Sequence, residues 1–241
     1  MGPLFVRVLI FCSLLFAGTV NASFQPWSEK VFEYVEHQYG VDAVKRLRYL
    51  HNLIIENQNL PVEEKLRLVN TTLNHLPWIA DSTHCKKADY WATPMETIAT
   101  FGGDCEDIAI AKWILLTHMG VSAKHLRLAY VKIKKSGEAH MVLLYFNDPT
   151  AAPGKRGPVV LDNYVEEIKP AEQRTDLLAV FTTDANGNVM LINDNGKERS
   201  VKAEVTGRKI RKLEELKAKV LANREKYRQL NDGRPLLPEE F

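Results

Sequence analysis

The chain has 241 residues, 45% of them hydrophobic and 26% charged, a balance that argues against disorder over most of its length and is ample for one sizeable core. Lys plus Arg number 32 against 30 for Asp plus Glu, so the net charge of +2 makes no case for nucleic acid or another polyanion as partner. Partner choice has to come from local features.

At the N-terminus, Arg7 precedes the apolar run Val8 to Ala17 and then Val20-Asn21-Ala22, a small-residue cleavage pattern. Residues 1–22 therefore read as a secretory signal peptide, because the apolar run is short of the roughly 20 residues a bilayer span needs. Its removal takes away Cys12 and leaves Cys85 and Cys105 in an oxidising compartment, where two cysteines fit either a disulfide or a free, functional thiol.

From Ser28 to His75 the apolar residues recur at helical spacing: Val31, Tyr34 and Val35, then Val44, Leu47, Leu50, His51 and Ile54. Pro61 opens a further helix with Leu66, Val69, Leu73 and Leu76 as its stripe. The stretch Pro77 to Pro94 has two prolines and several turn residues, and reads as a loop that carries Cys85, Tyr90 and Trp91.

Gly102-Gly103-Asp104-Cys105-Glu106-Asp107 then leads into the apolar run Ile108 to Met119. Two glycines and an N-cap residue start a helix at about Cys105, and Gly120 stops it. This helix is apolar nearly all round, which predicts a central, buried element with Lys112 among the few positions left for solvent. A cysteine in a first helical turn meets the unpaired N–H groups and positive dipole end that favour a thiolate. Three neighbouring carboxylates work against that, since negative charge raises a thiol's pKa.

After Gly120 the pattern turns to strands. Leu126 to Ile133 and His140 to Phe146, joined by Lys134-Lys135-Ser136-Gly137, read as a hairpin, and Pro158 to Leu161 as a third strand ending at Asp162-Asn163. Leu177 to Thr183 and Asn188 to Ile192 read as a second hairpin, across an Asn-Gly turn. The last element, Arg208 to Leu230, is an amphipathic helix striped by Ile210, Leu213, Leu216, Val220, Tyr227 and Leu230. Helices followed by an antiparallel sheet define the α+β class. One two-lobed domain over 23–241 is expected, mainly helical over 23–120, mainly β over 121–205, and closed by a C-terminal helix within 206–232.

Three groups fall at the ends of consecutive elements: Cys105 opens the buried helix, His140 opens a strand, and Asp162 ends another. A cysteine protease needs such a set, a thiol, an imidazole to carry its proton, and an acid or amide to orient the imidazole. Each residue also fits a plainer role. His140 suits a strand-end histidine, Asp162 suits a turn, and Asn163 or Asp148 suits the orienting position as well. Asp104 likewise suits an N-cap, with Glu106 and Asp107 complementing the helix dipole.

Gly103-Asp104-Cys105-Glu106-Asp107, Leu128 to Lys132, Ala139-His140-Met141-Val142-Leu143 and Val160-Leu161-Asp162-Asn163 together resemble the bacterial transglutaminase-like cysteine proteases of the LapG type, over most of the chain after residue 22. The resemblance implies a papain-like core with Cys105 as nucleophile, His140 as general base and acid, and Asp162 as orienting residue. It also implies Ca²⁺ beside the cysteine, matched by the hard carboxylate oxygens of Asp104, Glu106 and Asp107. By the same resemblance the protein is periplasmic. It would cut the N-terminal region of a large surface adhesin at a paired-alanine site, dispersing a biofilm, under restraint by an inner-membrane cyclic-di-GMP receptor. Two other functions stay open at this level. One is a cell-wall amidase or acyl-transferase on the same fold, the other a non-catalytic module holding a Cys85–Cys105 disulfide. One departure from the pattern is the long Phe146–Pro158 connection between the His and Asp strands. Tyr90 and Trp91 suit either donors to an oxyanion or packing residues of their loop.

Overall fold

The computed structural model describes residues 24–150, 157–192, 198–201 and 208–237. The expected signal peptide and the middle of the 146–158 connection lie outside them.

Helices α1 (Glu29–Tyr39) and α2 (Val41–Asn57) meet at Gly40, whose φ of +85° is a backbone turn that favours glycine. Helix α3 (Val62–Asn74) follows Pro61 as the sequence predicts. The 77–94 stretch is mostly loop, with one short turn of helix, α4 (Asp81–His84), inside it. Helix α5 (Pro94–Ala99) was not anticipated, although Thr93-Pro94-Met95-Glu96 forms a complete capping box with proline in the first turn. Helix α6 runs from Cys105 to His118.

The strands are β1 (Leu126–Ile133), β2 (Ala139–Tyr145), β3 (Val159–Leu161), β4 (Lys169–Pro170), β5 (Leu177–Thr183), β6 (Val189–Ile192) and β7 (Glu198–Val201). They form one antiparallel sheet in the order β4-β3-β2-β1-β5-β6-β7. Helix α7 (Arg208–Leu230) closes the chain order. The α+β expectation holds, and both hairpins lie where the alternating pattern put them.

Helix α6 is the axis of the packing. Ile108, Ile110, Ile114 and Leu116 share one core with Ile54, Leu66, Val69 and Leu73 from the helices before them and with Leu126, Leu128, Met141, Leu143 and Leu161 from the sheet. Covered by helices on one side and strands on the other, α6 has no wet face, which is why its apolar residues run all round it. That overturns the expectation for Lys112. Its side chain is buried, only 1% exposed, and its Nζ donates to Asn70 Oδ1 at 2.7 Å. Burial pulls its pKa down to about 7, against the opposing pull of Asp162.

Truncating the centre of α6 tests this arrangement. Ile110 is fully buried, and Ile110→Ala is expected to cost about 2–5 kcal/mol, read as a lower urea midpoint at an unchanged slope.

Candidate active site

The turn into α6 is built by close backbone contact. Gly103 forms a parallel bridge with Trp78, its N–H donating to the Pro77 carbonyl at 3.3 Å and its carbonyl accepting from Ile79 N–H at 2.9 Å. A Cβ on Gly102, whose φ is +146°, would sit 2.8 Å from the Pro77 oxygen, and one on Gly103 would sit 2.6 Å from Asp107 Oδ2. The two glycines are therefore required by space, and they deliver Cys105 to the first turn of α6.

The Cys105 thiol donates to Glu106 Oε2 at 2.9 Å. Burial pushes its pKa well above that of an ordinary thiol, and the charges of Glu106 and Asp104 push the same way. The Met141 backbone N–H opposes them by donating to the sulfur. Met141 follows His140 directly, so the start of β2 lies against the thiol. Cys85 and Cys105 are both free, which removes the disulfide-bonded alternative.

His140 and Asp162 are both buried and joined, with His140 Nε2 2.7 Å from Asp162 Oδ1. The imidazole's acidic partner is thus Asp162, while Asp148 accepts from Thr150 within its own loop. The long 146–158 connection does not displace Asp162. Burial alone would raise the Asp162 carboxyl, but hydrogen bonds from His140, the Tyr164 N–H and Arg174 outweigh it and hold the group below the usual carboxylate range. Arg174 Nη2 donates to Asp162 Oδ2 at 2.8 Å, and Asn74 Nδ2 donates to the Asp162 main-chain oxygen at 2.8 Å. Neither Arg174 nor Asn74 was singled out from the sequence. Arg174 lies beyond a strand too short to show a pattern, and Asn74 is a helix-end residue like many others.

Among the described residues two groupings of possible ligand atoms lie at the start of α6. Asp81, Asp104 and Asp107 present ligand atoms all within 4.8 Å of one another, and Asp104, Cys105 and Glu106 form a second such group. Asp104 stands at the N-cap position yet makes no capping hydrogen bond, so the plain capping role fails for it. Asp104 Oδ1 and Asp107 Oδ2 are buried with no hydrogen-bond partner, while Asp107 Oδ1 accepts from the Ala92 N–H at 2.8 Å. Burial, with the surrounding carboxylates, raises Asp107 to about 7 and Asp104 further still. Two orphaned, buried carboxylate oxygens beside a third carboxylate suit a hard divalent cation with all-oxygen ligands. Asp104, Glu106 and Asp107 were expected in this role: Asp104 and Asp107 group with Asp81, while Glu106, whose Oε2 accepts from the thiol, groups with Asp104 and Cys105. Asp81 was missed because it comes from the 77–94 loop, far from the motif in sequence.

That loop is held by its own contacts. The Tyr90 N–H donates to Asp81 Oδ2, and the Tyr90 hydroxyl donates to Glu96 Oε1 at 2.8 Å while accepting from Lys219 Nζ at 2.6 Å. Tyr90 is therefore committed to joining α5 and α7, and Trp91 is packed in the main core. Both take the packing role.

Gly103→Ala drives a methyl group into the Asp107 carboxylate. A loss of about 1–3 kcal/mol of stability is expected, measured by thermal melting at pH 7.

Residues 52–186, more than half of the chain, match the family described as bacterial transglutaminase-like cysteine proteinase. The structure is similar to that of Legionella pneumophila LapG, at 31% sequence identity and a TM-score of 0.63, covering 81% of this chain and 99% of that one. An EGTA-treated form of the Legionella protein matches at 29% identity and a TM-score of 0.64, over 81% and 99% of the two chains. Its calcium-bound form matches at 29% identity and 0.61, over 78% and 98%. No curated protein matches the chain. With its Cys-bearing helix, its His–Asp pair and these likenesses, the chain belongs to the bacterial transglutaminase-like cysteine proteinases.

Proposed function

We propose that this cysteine protease is a periplasmic, calcium-dependent endopeptidase. Its substrate is the N-terminal region of a large surface adhesin, cut at a paired-alanine site, and an inner-membrane cyclic-di-GMP receptor restrains it. The observation that carries the catalytic part is the buried His140–Asp162 pair, with His140 next to Met141, whose N–H donates to the Cys105 sulfur. The calcium part is supported by the orphaned oxygens of Asp104 and Asp107 and by the calcium-bound form of the Legionella protein. The adhesin, the receptor and the periplasm rest on the motif resemblance.

With Nε2 engaged by Asp162, the Nδ1 atom of His140 is the nitrogen that takes the thiol proton. The Cys105 sulfur then attacks the scissile carbonyl, and its own backbone N–H, at the open end of α6, meets the oxyanion. His140 returns the proton to the leaving amine, and water, deprotonated by the same imidazole, hydrolyses the thioester. Asp162 keeps the imidazole in the tautomer with its proton on Nε2. Asp81, Asp104 and Asp107 would hold the cation, with Glu106, grouped with Asp104, as a fourth carboxylate. When bound, a divalent cation supplies positive charge that offsets the carboxylates pressing on the thiol.

Cys105→Ala is expected to abolish cleavage of a recombinant N-terminal fragment of the host's own adhesin while leaving the melting curve intact. Retained cleavage would falsify the catalytic assignment.

The carboxylates give a second test. Unfolded aspartates titrate near 3.9, whereas folded Asp107 holds its proton to about 7, so the folded, cation-free chain binds more protons across that window. Its stability is then highest below about pH 4 as far as this group is concerned, and is lost as pH rises through 7. A cation that needs these oxygens deprotonated displaces the protons, so added calcium is expected to raise the melting temperature more at pH 8 than at pH 5. Equal shifts at both pH values count against the site.

A further inference from the structure

We propose that Arg174 is a positioning residue for the Cys105, His140 and Asp162 chemistry, fixing the plane of the Asp162 carboxylate and keeping it ionised whatever the charge on His140. The inference rests on the catalytic reading above and adds to it a residue placed outside the triad.

Arg174 follows the single helical turn Ala171–Gln173 and is anchored there by its own backbone. Its N–H donates to the Ala171 oxygen at 3.1 Å, and its carbonyl accepts from Leu177 N–H at 3.1 Å. The guanidinium is buried, its side chain only 3% exposed. Nε donates to Asp176 Oδ1 at 2.9 Å and Nη2 to Asp176 Oδ2 at 2.8 Å, a fork that fixes the guanidinium plane. The same Nη2 donates to Asp162 Oδ2 at 2.8 Å. The two oxygens of Asp162 are thereby divided, Oδ1 accepting from His140 Nε2 at 2.7 Å and from Tyr164 N–H at 2.8 Å, and Oδ2 from Arg174. Rotation of the carboxylate would break at least one of these bonds, so the lone pair facing His140 keeps its direction.

The charged groups facing Asp162 come from three elements: His140 from β2, Lys112 from α6, and Arg174 from the link into β5, with Asp176 behind it. His140 is neutral for part of the reaction. Lys112 is bonded to Asn70 and titrates near neutrality. Only a guanidinium stays charged throughout. A buried carboxylate with no permanent counter-charge takes up a proton more readily and loses its grip on the imidazole tautomer, and Arg174 adds that counter-charge to the larger effects of His140 and the Tyr164 N–H.

The test compares Arg174→Gln, Arg174→Lys and Asp162→Ala with the parent protein in calcium. Steady-state cleavage of the adhesin fragment is measured, together with the low-field proton resonance of the imidazole N–H shared with Asp162. Arg174→Gln is expected to lower kcat about 10- to 100-fold with KM within about twofold, and to lose or shift the low-field resonance. Arg174→Lys, which restores charge without the fork, is expected to recover at least about fivefold of that kcat. A residue that only anchors its loop would change melting temperature or KM and leave the resonance in place. Parental kcat and resonance in Arg174→Gln, with Asp162→Ala inactive, overturn the proposal and leave the triad standing. Full activity in Asp162→Ala removes the catalytic reading itself. If Arg174→Gln does not fold, Asp176→Asn alters only the half-exposed arm of the fork. It is expected to lower kcat about three- to tenfold and broaden the resonance, and parental behaviour there overturns the proposal equally.

Discussion

Burial of charge at the start of α6 sets the terms for everything around it. Asp104, Glu106 and Asp107 follow one another within four residues, and the last two are as buried as core leucines. Carboxylates removed from water must find donors or a counter-charge, or else hold their protons. The Ala92 N–H answers Asp107 and the Tyr90 N–H answers Asp81, both from the loop that arches over the turn. That loop is tied down in turn by Lys219 of α7, which reaches the Tyr90 hydroxyl, the Trp91 carbonyl at 3.2 Å and Glu96 at 3.3 Å. A chain of polar contacts thus runs from the C-terminal helix to the turn that carries Cys105. The apolar residues Leu213, Leu216 and Val220 dock α7 in the main core, and these polar contacts tie the loop between it and the acidic turn.

The two sides of the site treat the same residue type in opposite ways. On the thiol side, acidic neighbours and burial raise the carboxyls of Asp104 and Asp107. On the imidazole side, an equally buried Asp162 is held low by His140, a backbone N–H and Arg174. A pair of environments that drive carboxyls apart is how one site keeps one acid ionised and another protonated at a single pH. The consequence here is that the His–Asp pair is complete without any ion, whereas the thiol side carries a deficit of positive charge.

Much of this was legible in the sequence, and the exceptions share a physical cause. Helix α6, strand β1 and the Asp184–Asn188 turn follow from periodicity and turn chemistry, and the Cys, His and Asp of the site sit at element ends that those patterns locate. Lys112 was misassigned because a helix buried on all sides has no solvent face to give it, and its stem carries the amine to Asn70 instead. Helix α5 is too short for periodicity and could be found only by its capping box. Asp81 opens a single helical turn and Arg174 follows another, and both act across long sequence separations, where no local pattern marks them.

Sheet register is what brings the imidazole and its acid together. Leu143 lies opposite Leu161 in the β2–β3 ladder, and Asp162 follows Leu161 directly where β3 ends, which brings it to the end of β2 that carries His140. The 2.7 Å contact between His140 and Asp162 is made across that end of the ladder. A slip of one residue would turn Asp162 to the opposite face and strand the imidazole. The register is held by side chains on the helix-facing side, since Leu143 and Leu161 are both fully buried in the α6 core. Met141 belongs to that same core and also offers its N–H to the Cys105 sulfur. Packing of α6 on β2 and β3 therefore fixes two geometries at once, the sulfur against β2 and the imidazole against its carboxylate. A cavity cut into that seam would loosen both together, even with every polar residue of the site left in place.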